Sequence, residues 1–242
     1  MRKTACLALR VVLLSSLISN SRAGEDVAGE ARHSPPDTIA ARAQGCATCH
    51  GNEGQGTHDN FFPRIAGKPE GYLFNQLQNF RDGRRSYPPM SYLLAYLHDD
   101  YLREIAHFFA QQKIPFDAPE KSTLPAAQLA IGEALVKQGD SAHGIPACTA
   151  CHGQALTGIE PGIPGLIGLQ SRYITAQLEE AWRAGTRHAA SPDCMSEIAS
   201  HLTDEQITAV AGWLATQPAN GIPEPAPAGS WKTPVPCGSQ PQ

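Results

Sequence analysis

The sequence predicts an all-α fold built from a tandem duplication of one domain. Features of the first half recur in the same order in the second half, at offsets that drift only from 101 to 105 residues. The recurring segments have the apolar spacing of amphipathic helices, and no segment shows the alternation typical of a strand. Convergent loops would not keep this register, so we interpret each half as one copy of a helical domain.

The helical segments follow the same order in each half. An Ala-rich segment comes first (38–44 and 126–137), and a second amphipathic segment follows it (71–82 and 172–184). A capped helix ends each half, and in the second half the spacing of Thr203 and Gln206 predicts a capping box.

The N-terminus resembles a secretory leader. Arg2 and Lys3 precede an apolar stretch that ends at a small-residue site, which predicts cleavage after Ala23 and export. No later apolar run approaches the length of a membrane span, so we expect none in the mature chain. The predicted parts are a signal peptide (1–23), an N-terminal arm (24–36), a first domain (37–113), a linker (114–125), a second domain (126–217) and a Pro-rich tail (218–242).

Composition excludes one class of function. The 242 residues carry a formal charge of −4, and loss of the four basic residues of the leader would take it to −8. A nucleic-acid partner needs a surplus of Lys and Arg to neutralise phosphates, so nucleic-acid binding is not expected.

Two identical motifs carry the chemistry. They are Cys46-Ala-Thr-Cys49-His50 and Cys148-Thr-Ala-Cys151-His152. Two thiols three residues apart on a helical turn face the same side and can each bond one vinyl group of a haem, and the following His then ligates the iron. A redox dithiol or half of a zinc site is the alternative, but neither needs this His or a second copy. We therefore predict two covalently bound haem c groups.

The sixth iron ligands are predicted from the methionine count. Without the leader the chain has two methionines, Met90 and Met195, at equivalent places after turn-prone stretches that suggest a loop across the open haem face. A thioether opposite His closes the last coordination position and raises the potential of the iron. The alternatives are core packing for the methionines, ligation by one of the seven other histidines, or ligation of the second iron by Cys194.

Two further groups of residues need an explanation. Cys194 and Cys237 are the cysteines left over once the leader and the motifs are set aside, and export favours a disulfide between them that clips the tail to the ligand loop of the second haem. Arg81, Arg84 and Arg85 form a basic cluster, for which haem propionates near the domain interface, an acidic partner and a solvated turn remain as alternatives.

These residues together resemble the two-domain, two-haem cytochromes c of the c4 type, whose halves are similar to class I cytochromes c. The resemblance spans residues 37–217 and rests on both C-x-x-C-H motifs, the Pro-x-x-x-Gly segments, the segment 72–85 and the Met-Ser pairs. It implies His/Met ligation in both halves and haems close together at a pseudo-two-fold interface. It also implies that the carbonyls of Pro63 and Pro164 accept a hydrogen bond from the proximal histidines.

The resemblance implies a periplasmic carrier of single electrons to a membrane terminal oxidase, and no catalytic constellation competes with it. The first alternative is the cytochrome subunit of a periplasmic dehydrogenase. The second is a di-haem peroxidase-like or thiosulfate-oxidising enzyme, which would need an open iron.

Overall fold

A computed structural model describes residues 37–58, 61–219, 221, 224–230 and 232–240. The predicted leader and N-terminal arm lie outside the described residues. From residue 37 onward the described chain belongs to one compact unit. In this part of the chain, every helix is too short or too polar to cross a lipid bilayer.

Five helices lie in the described residues of the first half. They are α1 (Ile39–Arg42), α2 (Gln44–His50), α3 (Glu70–Arg81), α4 (Pro88–Leu94) and α5 (Asp99–Ala110). Helix α3 packs against α5, and Pro88 at the start of α4 has the fixed φ suited to a first helical turn. The order of the Ala-rich, second amphipathic and last helices is the predicted one.

The second half repeats this order with local changes. Its elements are α6 (Ala126–Lys137), a 3₁₀ turn (Ser141–His143), α7 (Thr149–His152), β1 (Gly158–Ile159), β2 (Ile163–Pro164), α8 (Ser171–Thr175), a π-helix (Ala176–Arg183), α9 (Cys194–His201) and α10 (Asp204–Ala215). Thr203 and Gln206 form the predicted capping box at the start of α10. The expectation of no strand is wrong at one place, because β1 and β2 form a small antiparallel hairpin.

The π-helix explains a change of register between the halves. Leu77 and Phe80 are separated by two residues, whereas their counterparts Leu178 and Trp182 are separated by three. A π-helix closes its hydrogen bonds over five residues instead of four, so it holds one extra residue without breaking the helix. The backbone N–H of Ala184 accordingly donates to the Glu179 carbonyl at 3.1 Å. A one-residue insertion has thus been accommodated inside a helix.

Each half has its own apolar core. In the first half buried Leu73, Ile105 and Phe109 belong to one cluster, and in the second half a larger cluster contains Val136 and Leu214. No buried residue is shared between these clusters, so each half buries its own helices.

Helices α6 and α10 of the second half cross at close range. A Cβ atom built on Gly132 of α6 would lie 2.6 Å from the carbonyl carbon of Ala209 and 2.9 Å from Cβ of Trp213. Only a residue without a side chain allows the two backbones to approach this closely. Gly132 therefore allows α6, which precedes the second C-x-x-C-H motif, to pack closely on α10, which follows it.

The C-terminal tail lies against both halves. The backbone N–H of Ala226 donates to the Gly158 carbonyl at 2.9 Å, and that of Gly238 donates to the Pro192 carbonyl at 2.8 Å. Asn75 of α3 donates to the Ser239 carbonyl at 3.1 Å. The described part of the tail has no helix, which agrees with its proline content.

Candidate haem sites

Both C-x-x-C-H motifs lie at the end of a short helix. The first ends α2 and the second ends α7, and each His is followed by a glycine, Gly51 or Gly153, with a φ of +82°. An L side chain rarely adopts this backbone conformation, so glycine lets the chain turn away directly after the histidine. The cysteines and the histidine of each motif are thereby left on one helical turn.

The two motif histidines have the same surroundings. The Nδ1–H group of His50 donates to the Pro63 carbonyl at 2.8 Å, and that of His152 donates to the Pro164 carbonyl at 2.7 Å. Both rings are 8% exposed, and this burial lowers the pKa of each imidazole although the proline carbonyl acts in the opposite direction. A neutral ring whose Nδ1 is already bonded offers Nε2 as a metal ligand.

In the second half the predicted haem residues converge on one cavity. Cys148, Cys151, His152 and Met195 all line it, together with apolar side chains that include Leu178. Because two thiols, an imidazole and a thioether face the same apolar space, the donor set fits a covalently bound haem with His and Met ligands.

In the first half Met90 packs beside Phe80, Leu94 and Leu102. Leu102 corresponds to Ile207 in the repeat, and both side chains are fully buried. Met90 therefore packs against a core position that the two halves share. The two methionines also share a local structure, because Met90 lies in the first turn of α4 and Met195 in the first turn of α9. The expectation that a loop carries them is wrong, since α4 begins two residues before Met90 and α9 one residue before Met195.

Three of the motif cysteines lack the lowered pKa of a reactive dithiol. Burial raises the pKa of Cys46 and Cys151, and it raises the pKa of Cys148 to about 12. Redox-active C-x-x-C pairs instead have a cysteine of lowered pKa. The surroundings of these thiols therefore favour haem attachment over disulfide exchange.

Cys194 and Cys237 form a disulfide, with their Cα atoms 5.1 Å apart. The bond occupies the sulfur of Cys194 and so removes it as an iron ligand. A larger cavity is lined by Cys151, His152 and Met195 together with tail residues Val235 and Ser239. The tail is thus cross-linked beside the second methionine and covers part of the second site.

Paired arginines and glutamines lie where the two halves meet. Arg85 and Arg187 form an antiparallel β-bridge. The side-chain oxygen of Gln76 accepts from Arg85 at 3.0 Å and from Arg187 at 2.7 Å, and Gln177 likewise accepts from both arginines. Arg187 also donates to the Tyr72 hydroxyl at 3.2 Å. We call Tyr72, Gln76, Arg85, Gln177 and Arg187 the interface cluster.

The interface cluster has an excess of positive charge. Burial alone would raise the pKa of Tyr72, but the charges of Arg187, Arg85 and Lys68 outweigh it and lower the pKa to about 8. Arg187 is 3% exposed, and among the described residues its Nε is the buried side-chain nitrogen or oxygen without a hydrogen-bond partner. An anion at this point would supply the missing acceptor and charge, and a haem carries such anions as its propionates.

The three arginines of the predicted basic cluster occupy different places. Arg85 belongs to the interface cluster, Arg81 forms an ion pair with Asp99 at 2.6 Å, and Arg84 forms one with Asp82 at 3.1 Å. Sequence reasoning missed Arg187. The signal was available, since Arg187 lies 102 residues after Arg85, an offset within the range that relates the two halves.

A scan of family models matches cytochrome c to residues 38–110 and 130–218. The chain belongs to the cytochrome c family. Each matched segment contains one C-x-x-C-H motif and one of the two methionines, so the cytochrome c fold is present twice.

Cytochromes c with two such segments are among its relatives. The chain is 39% identical over 176 residues to a thiosulfate dehydrogenase electron acceptor of Thiomonas intermedia (strain K12), covering 73% of this chain and 80% of the relative. It is 36% identical to cytochrome c4 of Pseudomonas aeruginosa, covering 75% and 89%. The crystal structure of reduced recombinant cytochrome c4 from Pseudomonas stutzeri is similar, with a TM-score of 0.63, 30% identity and coverage of 73% and 95%.

These similarities identify this cytochrome c as a di-haem electron-transfer protein of the c4 type, rather than an enzyme. Its cofactors are two covalently bound haem c groups, one at each motif. Its relatives imply that it exchanges electrons with redox partners.

Proposed function

We propose that both irons are closed by protein ligands, His50 with Met90 in the first half and His152 with Met195 in the second. The cavity that brings the second motif and Met195 together carries this proposal. Each haem would supply a one-electron couple. The residues contribute fixed geometry: the thioether bonds of Cys46 and Cys49, like those of the second motif, would anchor the ring covalently.

Closed coordination suits a carrier because electron exchange then needs no ligand to enter or leave. The proline carbonyls hold the histidine rings in one orientation, and the burial of both rings would help to exclude water from an iron bound to them. An iron with a free position would instead favour a reaction at the metal.

The interface cluster supports a position for the haem propionates. Arg85 and Arg187 lie between the halves, and the hydrogen-bond partners found for their guanidinium groups are neutral. Propionates from the two haems would neutralise these charges and reach the free Nε of Arg187. This arrangement would bring the propionate edges of both haems to the pseudo-two-fold interface, with domain boundaries at 37–113 and 126–217.

We assign the protein to the periplasm, after export by the leader 1–23, and to a chain of carriers that ends at a membrane terminal oxidase. The names of relatives favour a donor as well, since two of them, at 39% and 38% identity, are thiosulfate dehydrogenase electron acceptors. A dehydrogenase that oxidises thiosulfate is therefore our candidate donor. The two assignments are compatible because they concern opposite ends of one transfer.

The visible spectrum of the dithionite-reduced protein, recorded with and without carbon monoxide, tests the ligands. We expect two haems per chain and no spectral change with carbon monoxide. A spectral change at either haem would show an open iron and would favour an enzyme over an electron carrier. Stopped-flow reduction by a thiosulfate dehydrogenase with thiosulfate, followed by oxidation with a terminal oxidase, tests the partners separately.

A further inference from the structure

Arg64 is a buried arginine that the proposed electron transfer does not use directly. It is 7% exposed, and its guanidinium donates to three backbone carbonyls: Ile114 at 2.6 Å, Pro115 at 2.9 Å and Ala66 at 3.2 Å. Its Cζ lies 4.0 Å from the centre of the Phe116 ring. Arg64 thus joins the first half to the start of the linker through Nη1 and Nη2, while its Nε bonds to Ala66 within the first half.

Arg64 directly follows the residue that orients the first motif histidine. The carbonyl of Pro63 accepts the 2.8 Å hydrogen bond from His50, and the peptide that contains this carbonyl is the one that joins Pro63 to Arg64. Holding Arg64 therefore holds the acceptor of that hydrogen bond. The linker is connected to the first iron site by one side chain and one peptide group.

The second half has no such connection. The residue after Pro164 is Gly165, which has no side chain to reach the linker. In both halves a glycine packs against the carbonyl carbon of the proline, Gly56 against Pro63 and Gly158 against Pro164. Both glycines have a positive φ, so the two prolines have equivalent surroundings on this side. The contact with the linker is therefore an addition to the first site.

The far part of the same linker is fixed to the second half. The Phe116 ring lies directly on Gly168, where a Cβ atom would collide with it. The Glu120 carboxylate accepts from the backbone N–H of Ser171 at 2.9 Å and from its hydroxyl at 2.7 Å, at the first residue of α8. The linker is thus held at both ends, and on the side of the first half Arg64 is its buried attachment, beside an exposed ion pair of Asp117 with His58.

We propose that Arg64 is a positioning residue: by clamping the linker to the peptide after Pro63, it fixes the carbonyl that orients His50 and thereby sets the reduction potential of the first haem. This inference rests on the axial role proposed for His50. A firmly held acceptor makes the imidazole a more basic ligand, which favours ferric iron and keeps the potential low. Because Gly165 cannot act in this way, the clamp contributes to a difference between the two potentials.

The variant Arg64→Lys tests the proposal because it keeps the positive charge and loses the forked hydrogen bonds. We expect the first haem to become easier to reduce, with a several-fold higher ratio of reduced to oxidised haem at a fixed applied potential, while the second haem is unchanged. Visible spectroelectrochemistry measures both couples, and the shifted haem-methyl NMR signals of the ferric protein assign each to its haem. Phe116→Leu removes the ring beside Arg64 without a change of charge. It should shift the reduction potential of the first haem in the same direction.

Arg42→Lys is the matched control, since Arg42 pairs with Asp37 and Glu104 on the surface of the first half, away from the linker. It should leave both couples in place. Unchanged couples in Arg64→Lys, or equal shifts of both haems, would overturn the positioning role. Carbon monoxide binding to the first haem of the unaltered protein would instead contradict the ligation of His50 and Met90, so the two failures are distinguishable.

Discussion

Arg85 and Arg187 face each other across the two halves of the chain, joined by a β-bridge and by two glutamines that each accept hydrogen bonds from both arginines. The backbone hydrogen bonds beside these arginines are related by the same internal repeat. Ser86 donates to the Thr186 carbonyl, and His188 donates to the Arg84 carbonyl. Two buried charges of the same sign repel each other, so an anion such as the haem propionates proposed above would stabilise this pair.

The first prediction concerns this buried charge. Arg187→Gln should lower the reduction potential of the second haem, because a nearby positive charge favours the reduced form, which carries one positive charge fewer. Spectroelectrochemistry measures the change. Arg183→Gln is the control, since Arg183 already pairs with Glu179 and Asp204. An equal fall in the control would show that the effect is not specific to the interface cluster.

The repeat made much of this molecule predictable from sequence. The motif spacing indicated both haem sites, and the segment 126–137 is the helix α6. The disulfide between Cys194 and Cys237 followed from the cysteine count together with export. In each case the information is local or lies in a count of residue types.

Other features depend on packing between distant segments and could not be predicted in this way. The extra residue of the second half lies in the π-helix. The sequence shows that one residue has been inserted, but it does not show whether the insertion lies in a helix or in a loop. Met90 lies in a helix because the two prolines before it suit a first helical turn. Met195 lies in a helix that the side chain of Asp193 caps by accepting from the backbone N–H of Ser196. The contact of Arg64 with the linker joins residues 50 positions apart, and no pattern in the sequence marks it.

The second prediction opens an iron. Met195→Ala should remove the sixth ligand of the second haem, so that this haem binds carbon monoxide after reduction and its potential falls. The difference spectrum with carbon monoxide should report one haem per chain. Met90→Ala serves as the matched variant and should open the first haem instead. If Met195→Ala binds no carbon monoxide and both potentials remain unchanged, Met195 is not a ligand.

The third prediction concerns the tail. Cys237→Ser removes a cross-link between residues 43 positions apart, which on the chain-entropy model lowers the free energy of unfolding by up to about 4 kcal/mol. Because Val235 and Ser239 line the cavity of the second site, a small reductant should also reach that haem faster. Chemical denaturation and stopped-flow reduction measure the two effects.

The control for the tail is Ser230→Ala, which changes a tail serine bonded only within the tail and should alter neither quantity. Alkylation supplies an independent check. The denatured, unreduced protein should show no reactive thiol at Cys194 or Cys237, and labelling of both would contradict the disulfide.

The fourth prediction is a stability measurement on the helix pair of the second half. Gly132→Ala places a methyl group against the backbone of α10, where no flexible side chain can give way, so α6 and α10 must separate. Overpacking of this kind costs about 1–3 kcal/mol of the free energy of unfolding. Gly45→Ala is the matched control, because Gly45 is also helical and, among the described residues beyond its chain neighbours and its own helix backbone, no atom lies within 4 Å of the added carbon. Alanine favours a helix over glycine, so the control should lose no stability. An equal loss in both variants would mean that the close approach of α6 and α10 is not what limits residue 132 to glycine.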